Sequence, residues 1–305
     1  MTENPPQLPE LGPVIVGFDG TTSGEDALAL AVWFSGILAL PLVVAAVHPS
    51  PAAISPARVD AEWVSDRHRV AEQILDDARH LIEARTEPPK QVEYRTVASS
   101  SAAHGLHDLA EELTASVIVV GSVGEGSEER LSAGSTAERL LSGSPGPVAV
   151  APSGMRNRRP GVLTRIGVAY IDTPDANAAL AVAARLAQRT SAELRLYTVV
   201  ADEAEVMPVL IGRDAERAFL TTAREQYQFA LDTAIAGLPP GLRGTGQILI
   251  GDVVEVLAEL HEDDIDVLFC GSRGYGPVRR VLVGGVSSRL VRRARSPLVV
   301  VPRAG

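Results

Sequence analysis

The sequence predicts an α/β fold made twice over: two tandem doubly wound domains, each a five-stranded parallel sheet with helices on both faces. Three observations predict it. A glycine pattern occurs at Gly121, Gly124 and Gly134 and again, 150 residues later, at Gly271, Gly274 and Gly284, as a tandem duplication would place it. Each instance follows a short apolar run, Val117 to Val120 or Val267 to Cys270, and precedes a further helical segment and apolar run. Strand-like and helix-like segments alternate throughout, the pattern of parallel strands joined by crossover helices.

In the first copy, Val14 to Phe18 has the length and apolar character of a buried strand, Ser23 to Leu38 reads as a helix, and Leu42 to Val47 as a second strand. Val59 to Ala84 carries Val70, Ile74, Leu75, Ala78, Leu81 and Ile82 at helical spacing. After Pro88-Pro89 come a strand from Gln91 to Val97, a helix from about His104 to Leu113, and the strand Val117 to Val120. The glycine loop, a helix from about Ser135 to Leu141 and a last strand from Pro147 to Ala151 complete the unit. The second copy repeats the order, with strands at Arg165 to Ala169, Glu193 to Val199, Gly246 to Ile250, Val267 to Cys270 and Pro297 to Val301. Between the copies, Ala151 to Leu163 is rich in Pro, Ser, Gly and Arg with little periodicity, the composition of a linker. This places the domains at residues 1–152 and 163–305.

A length of 305 residues accommodates two such domains, each large enough to close a core. The net charge of −10 is uneven: the first 153 residues carry net −12 and the remainder net +2. Such a balance argues against wrapping nucleic acid. A local cluster (Arg279, Arg280, Arg292, Arg293, Arg295) is suited either to contact an anion or to form a solvated helix face. The single cysteine, Cys270, excludes an internal disulfide and a thiolate metal cluster, and fits a reducing, cytoplasmic setting. Met1 to Pro13 lacks the basic start of a signal peptide and reads as a loose tail. Ala27 to Val47 holds 21 residues without a formal charge, enough to cross a bilayer on length alone. Its counterpart, Ala179 to Val199, contains Arg185, Arg189, Glu193 and Arg195, and Ser35-Gly36 and Pro41 break the first stretch, so no membrane span is expected.

Leaving a strand end and entering a helix, the glycine loop has phosphate-binding character. Glycines let backbone approach an anion, and a helix beginning near Ser135 supplies unpaired N–H groups and a hydroxyl. The other reading of the glycines is a tight strand-to-helix turn; their recurrence in the same context favours the anion. A Walker A loop is excluded, because the only lysine is Lys90. A Rossmann dinucleotide fingerprint follows a unit's first strand, whereas these glycines follow the fourth.

The motif G-x2-G-x9-G-[S/T] after a fourth strand, the Val16-Gly-Phe-Asp-Gly20 start, the Val47-His48 pair and the terminal Pro-Val-Ala-Val strand resemble the universal stress protein family. The resemblance covers nearly the whole chain, twice. It implies a five-stranded parallel α/β sheet binding ATP at the strand ends. On that basis Gly17, Phe18 and Asp19 meet the nucleotide at the first strand's end, with Asp19 accepting a hydrogen bond from the adenosine part and His48 lying beside the adenine through its backbone. Gly121 and Gly124 lie over ribose and phosphates, and Gly134, Ser135 and Thr136 hold phosphate oxygens. In the second copy the corresponding contacts are Val199, Gly271, Arg273, Gly274, Gly284 and Ser287. That copy departs from the pattern: Ile171 stands where Asp19 does and Gly285 where Ser135 does, so its site is expected to be weaker, with Arg273 and Ser287 offsetting part of the loss.

An enzyme is not expected. The first loop lacks a cation before Arg130, and Glu125, Glu128 and Glu129 can either hold Mg²⁺ or form an acidic surface. His104 and His107 lack a third ligand, and no nucleophile elbow occurs. The leading function is an ATP-dependent regulator of stress adaptation. A structural or partner-binding stress protein without nucleotide and a slow ATPase are the alternatives. The family resemblance further implies association through the last strands, here Val148 to Ala151 and Leu298 to Val301, whose apolar edges could pair within the chain before two chains form a homodimer.

Overall fold

The computed structural model describes residues 11–50, 61–122, 134–159, 161–200, 213–272 and 286–302. The tail up to residue 10, Val59 and the loop residues Gly124, Glu125, Glu128, Glu129, Arg273, Gly274, Arg279, Arg280, Gly284 and Gly285 lie outside the described residues.

The first copy forms β1 (Val14–Gly17), α1 (Thr22–Leu38), β2 (Leu42–Pro49), α2 (Ala61–Glu83), β3 (Val92–Ser99), α3 (Ala102–Glu112), β4 (Val117–Gly121), α4 (Gly134–Gly143) and β5 (Val148–Ala151). The second repeats this as β6 (Arg165–Ala169), α5 (Pro174–Thr190), β7 (Glu193–Val200), α6 (Arg213–Ala236), β8 (Gly244–Ile250), α7 (Val253–Ala258), β9 (Val267–Gly271), α8 (Val286–Arg293) and β10 (Leu298–Val301). Each half is a five-stranded parallel sheet, and the halves join into one ten-stranded sheet of order β3-β2-β1-β4-β5-β10-β9-β6-β7-β8. The join is the antiparallel pair β5–β10, with Val148 opposite Val300, Ala149 opposite Val299 and Val150 opposite Leu298. The last strands therefore cover each other's apolar edges, as expected.

Helices lie on both faces and divide the core into two layers. One packs α1, α2, α5 and α6 against the sheet and continues across both halves; the other holds α3 and the residues of α4, α7 and α8. The uncharged run from Ala27 is explained by the first layer. On one side α1 meets β1 and β4, on the other the linker and α5, so it is apolar around nearly its whole circumference. Among the described residues no helix is long and apolar enough to cross a membrane. Helix α1 ends at Leu38, as expected, and Ser35-Gly36 lies inside its last turn rather than outside it. The helix runs on to Leu38 and stops at Ala39, in the left-handed conformation, with the Gly36 and Ser35 carbonyls accepting from the amides of Ala39 and Leu40. Arg189 of α5 donates to the Leu38 carbonyl, completing that terminus from the other half.

The described part of the linker is tied to α1. Residues Met155–Asn157 form a single 3₁₀ turn, Met155 is buried, and the Asp26 carboxylate of α1 accepts from the amides of Gly154 and Arg156 at 2.9 and 2.8 Å and from the Arg156 guanidinium at 3.0 Å. Trp33 adds an indole N–H bond to the Gly161 carbonyl at 2.9 Å.

Cys270, on β9, is buried, and burial pushes its thiol up to about 12. At pH 8 roughly one such thiol in ten thousand is ionised, against roughly one in ten at the ordinary value of 9. Native protein is therefore expected to resist a thiol-reactive disulfide reagent at pH 8 and to react with one equivalent after unfolding. The raised value stabilises the fold fully below pH 9, the unfolded thiol's value, and that contribution is lost as pH climbs towards 12. Rapid native labelling at pH 8 would contradict this burial.

Candidate functional site

In the order β3-β2-β1-β4-β5 the chain winds outward from β1 in one direction through β2 and β3 and in the other through β4 and β5. The gap beyond the ends of β1 and β4 is the switch point where open α/β sheets take ligands. Gly17 ends β1 and Gly121 ends β4, in strands paired in register from Val14 opposite Val117 to Val16 opposite Val119.

The turn from β1 into α1 shapes one wall. Asp19 is exposed, and its Oδ1 accepts from the Thr21 amide at 3.1 Å and hydroxyl at 2.6 Å; the Thr21 hydroxyl in turn accepts from the Gly24 amide at 3.1 Å. Gly20 adopts a left-handed φ of +75° there. The carboxylate thus sits at the rim, fixed by its own turn, with the start of α1 behind it. Phe18 points the other way, its side chain buried in the core at 3 % exposure, so only its backbone borders the crevice. His48, near the end of β2, is also buried; its ring stands edge-on to His68 of α2 with centroids 5.5 Å apart.

The second wall is the start of α1 against the end of β4, which meet closely. A Cβ on Gly121 would lie 2.1 Å from the Ser23 hydroxyl and 2.2 Å from the Ser23 carbonyl, so only glycine fits. Ser23 donates to the Ser122 carbonyl at 3.0 Å across the same contact. Ser23, Gly24 and Ser122 were not among the expected site residues. The available sequence signal for Ser23 is its place in the repeat, opposite Asp175 of the second copy. Helix α4 begins at Gly134 and carries Thr136, half-buried, in its first turn, with Ser135 between them.

The second crevice, between β6 and β9, keeps the close approach and changes the chemistry. A Cβ on Gly271 would lie 2.7 Å from the Asp175 carbonyl. Tyr170 replaces Phe18 and donates to Asn177 at 2.9 Å, and Asn177 donates to Asp172 at 3.1 Å, which binds the Asp172 carboxylate to α5. Desolvation, and secondarily the Asp172 charge, push the Tyr170 phenol up from its ordinary value. Ile171 occupies the place of Asp19. Where Ser23 donates in the first copy, the second has Asp175, nine-tenths buried, with Oδ1 lacking a hydrogen-bond partner among the described residues. Ser287 takes over the bond to the strand-end carbonyl, reaching Ser272 at 3.4 Å. A buried carboxylate beside a strand end opposes a second negative charge. Strand register fixes the equivalent positions at the end of the second strand of each half. Val14 faces Leu42 and Ile166 faces Leu194, so the counterpart of His48 is Val200, and Val199, with its side chain in the core, corresponds to Val47.

His104 and His107 lie on the surface of α3, within 3.5 Å of Asp108 and 3.6 Å of Glu111 respectively. Among the described residues no three His, Cys, Asp or Glu side chains gather as a metal site would require.

The model of the universal stress protein family matches residues 11–152 and again residues 163–302. The chain belongs to the universal stress protein family. Universal stress proteins of Mycobacterium tuberculosis and Mycobacterium bovis are 30 % identical to it over 294 residues, spanning 95 % of this chain and 99 % of theirs. Among solved structures, a universal stress protein from Archaeoglobus fulgidus superposes with a TM-score of 0.62 at 21 % identity, covering 95 % of this chain and 98 % of that one. A protein of unknown function from Pseudomonas aeruginosa superposes at 0.56 with 15 % identity over 96 % and 93 % of the two chains. The fold is thus shared with both structures over nearly the whole of this chain.

Proposed function

We propose that this universal stress protein is a nucleotide-dependent regulator of stress adaptation that binds ATP in the crevice of its first half. The observation carrying this reading is the coincidence, at one switch point, of the intact Gly121-x2-Gly124-x9-Gly134-Ser135 spacing with Asp19 at the opposite rim. The adenosine part lies towards Asp19 and His48, and the phosphates towards the start of α4, whose unpaired N–H groups favour an anion. Mg²⁺ accompanies the phosphates, and hydrolysis is at most slow. The second crevice binds nucleotide more weakly, because Ile171 cannot accept a hydrogen bond and Asp175 repels phosphate. The protein acts in the cytoplasm. Because β5 and β10 are occupied by each other, a homodimer of chains uses a different surface.

One observation favours a second reading, a partner-binding stress protein without nucleotide: Gly121 is required by its contact with Ser23 whether or not a ligand binds. The nucleotide released on acid denaturation of protein purified without added ligand separates the two. About one ATP per chain is expected. Asp19→Ala is expected to lower affinity by roughly tenfold or more through the lost charge-assisted hydrogen bond, while Thr21 still caps α1. Two ATP per chain would refute the asymmetry; none, with no binding on addition of ATP, would leave the partner-binding reading.

A further inference from the structure

Antiparallel pairing of β5 with β10 sets the strand starts of one half beside the strand ends of the other, since Leu298, first in β10, faces Val150, next to last in β5. A cleft of about 360 Å³ opens at one such meeting. Its first-half wall is Ser122, directly after Gly121, with Pro152 and Ser153 after β5. Its second-half wall is Arg292 and Arg293 at the end of α8 and Arg295 just beyond it, and Arg158 of the linker adds a fourth guanidinium. At the reciprocal meeting, by the second crevice, aligning the repeats sets Ser142, Gly143 and Pro145 against Arg292, Arg293 and Arg295.

We infer that this cleft is an anion site, in which arginines of the second half take the polyphosphate end of a ligand whose nucleoside end lies in the first crevice. The inference rests on the proposed nucleotide site and extends it by residues from the other half. The cleft meets the half that keeps the full glycine spacing and Asp19 at Ser122, directly after Gly121, and that half is itself strongly acidic. The guanidiniums are held in readiness by surface carboxylates: Arg292 pairs with Glu138, Arg293 with Glu255 at 3.9 Å and Arg295 with Glu259 at 3.1 Å. Such exposed pairs are weak, about 0–1 kcal/mol each, so a multiply charged phosphate chain displaces them and gains bidentate contacts. Glu262 and Asp263 also line the cleft and oppose the anion, which makes a single phosphate a poor ligand and favours a chain able to span several arginines. The consequence is selectivity for triphosphate over monophosphate, and a ligand that bridges the two halves.

The test is calorimetric titration of the intact protein with ATP, AMP and adenosine, and separately with inorganic tripolyphosphate. In R292Q/R293Q/R295Q, ATP affinity is expected to fall at least tenfold, with a shallower salt dependence, while adenosine affinity stays unchanged. Arg289→Gln, on the same helix but outside the cleft, is the control and is expected to leave ATP affinity unchanged. Equal ATP affinity in the triple variant and the wild type, or equal losses for ATP and adenosine, would overturn the inference. If neither ATP nor adenosine binds the wild type, the nucleotide reading fails. Tripolyphosphate binding that the triple variant loses would then still support an anion site, and its absence from the wild type would overturn that too.

Discussion

Replacing Gly121 with alanine is expected to destabilise the first half of the chain by about 3 kcal/mol. The added methyl would stand 2.1 Å from the Ser23 hydroxyl and 2.2 Å from its carbonyl. The hydroxyl can rotate away, at the loss of its bond to Ser122, but the carbonyl belongs to the first turn of α1, which is fixed by the Thr21 cap and by the buried face that follows. Relief therefore means moving a helix or a strand in the centre of the sheet. Gly271→Ala meets the Asp175 carbonyl at 2.7 Å, a milder clash, and is expected to cost roughly half as much. Urea denaturation of the two variants checks this; a Gly121→Ala midpoint indistinguishable from wild type would refute the close approach. Because Gly121→Ala is expected to lose ligand through distortion alone, Asp19→Ala is the variant that reports on nucleotide.

The fold was legible because each half repeats the same alternation of apolar runs and amphipathic segments, and a duplicated pattern corrects its own ambiguities. The membrane-like stretch in α1 was resolved in this way by the charged residues of α5. Contacts made across long sequence separations were less legible. Ala151 to Leu163 lacks periodicity because its order comes from Asp26, 128 and 130 residues from the amides it accepts. The helix end at Leu38 was placed correctly, but the part played by Ser35 and Gly36, whose carbonyls are the acceptors of the terminating turn, was not visible in composition.

In the site, strand-end residues could be placed by motif, but side-chain direction could not. Phe18 turns to the core because strand residues alternate, and only strand register shows that Val200, rather than Val199, is the position equivalent to His48. Asp175 was passed over because nothing local shows that its carboxyl replaces the Ser23 hydroxyl against a strand end. The arginines of α8 were visible as a cluster, and both their uses, anion contact and solvated face, were in view. Which crevice they face follows only from the antiparallel join of β5 and β10.

Asp26→Ala is expected to destabilise the protein by about 2–4 kcal/mol, the scale of removing one partner from a buried, hydrogen-bonded ion pair. Asp26 is 3 % exposed and satisfies two backbone amides and a guanidinium at once. Truncation leaves the Gly154 and Arg156 amides without their acceptor and removes the main anchor of the Met155 turn; Glu25, 3.6 Å from the Arg156 Nε, compensates weakly. The aligned residue of the second copy is Ala178, so the clasp belongs to the linker rather than to the repeated fold. A double-mutant cycle with Arg156→Ala, read by urea unfolding, is expected to show a coupling above about 1 kcal/mol; strict additivity would refute the pair. The same clasp holds the segment that carries Arg158 to the interdomain cleft. Asp26→Ala is therefore expected also to weaken ATP binding while sparing adenosine, the same division expected of the α8 arginines. A stability loss with unchanged ATP affinity would show that Arg158 reaches the cleft without the clasp.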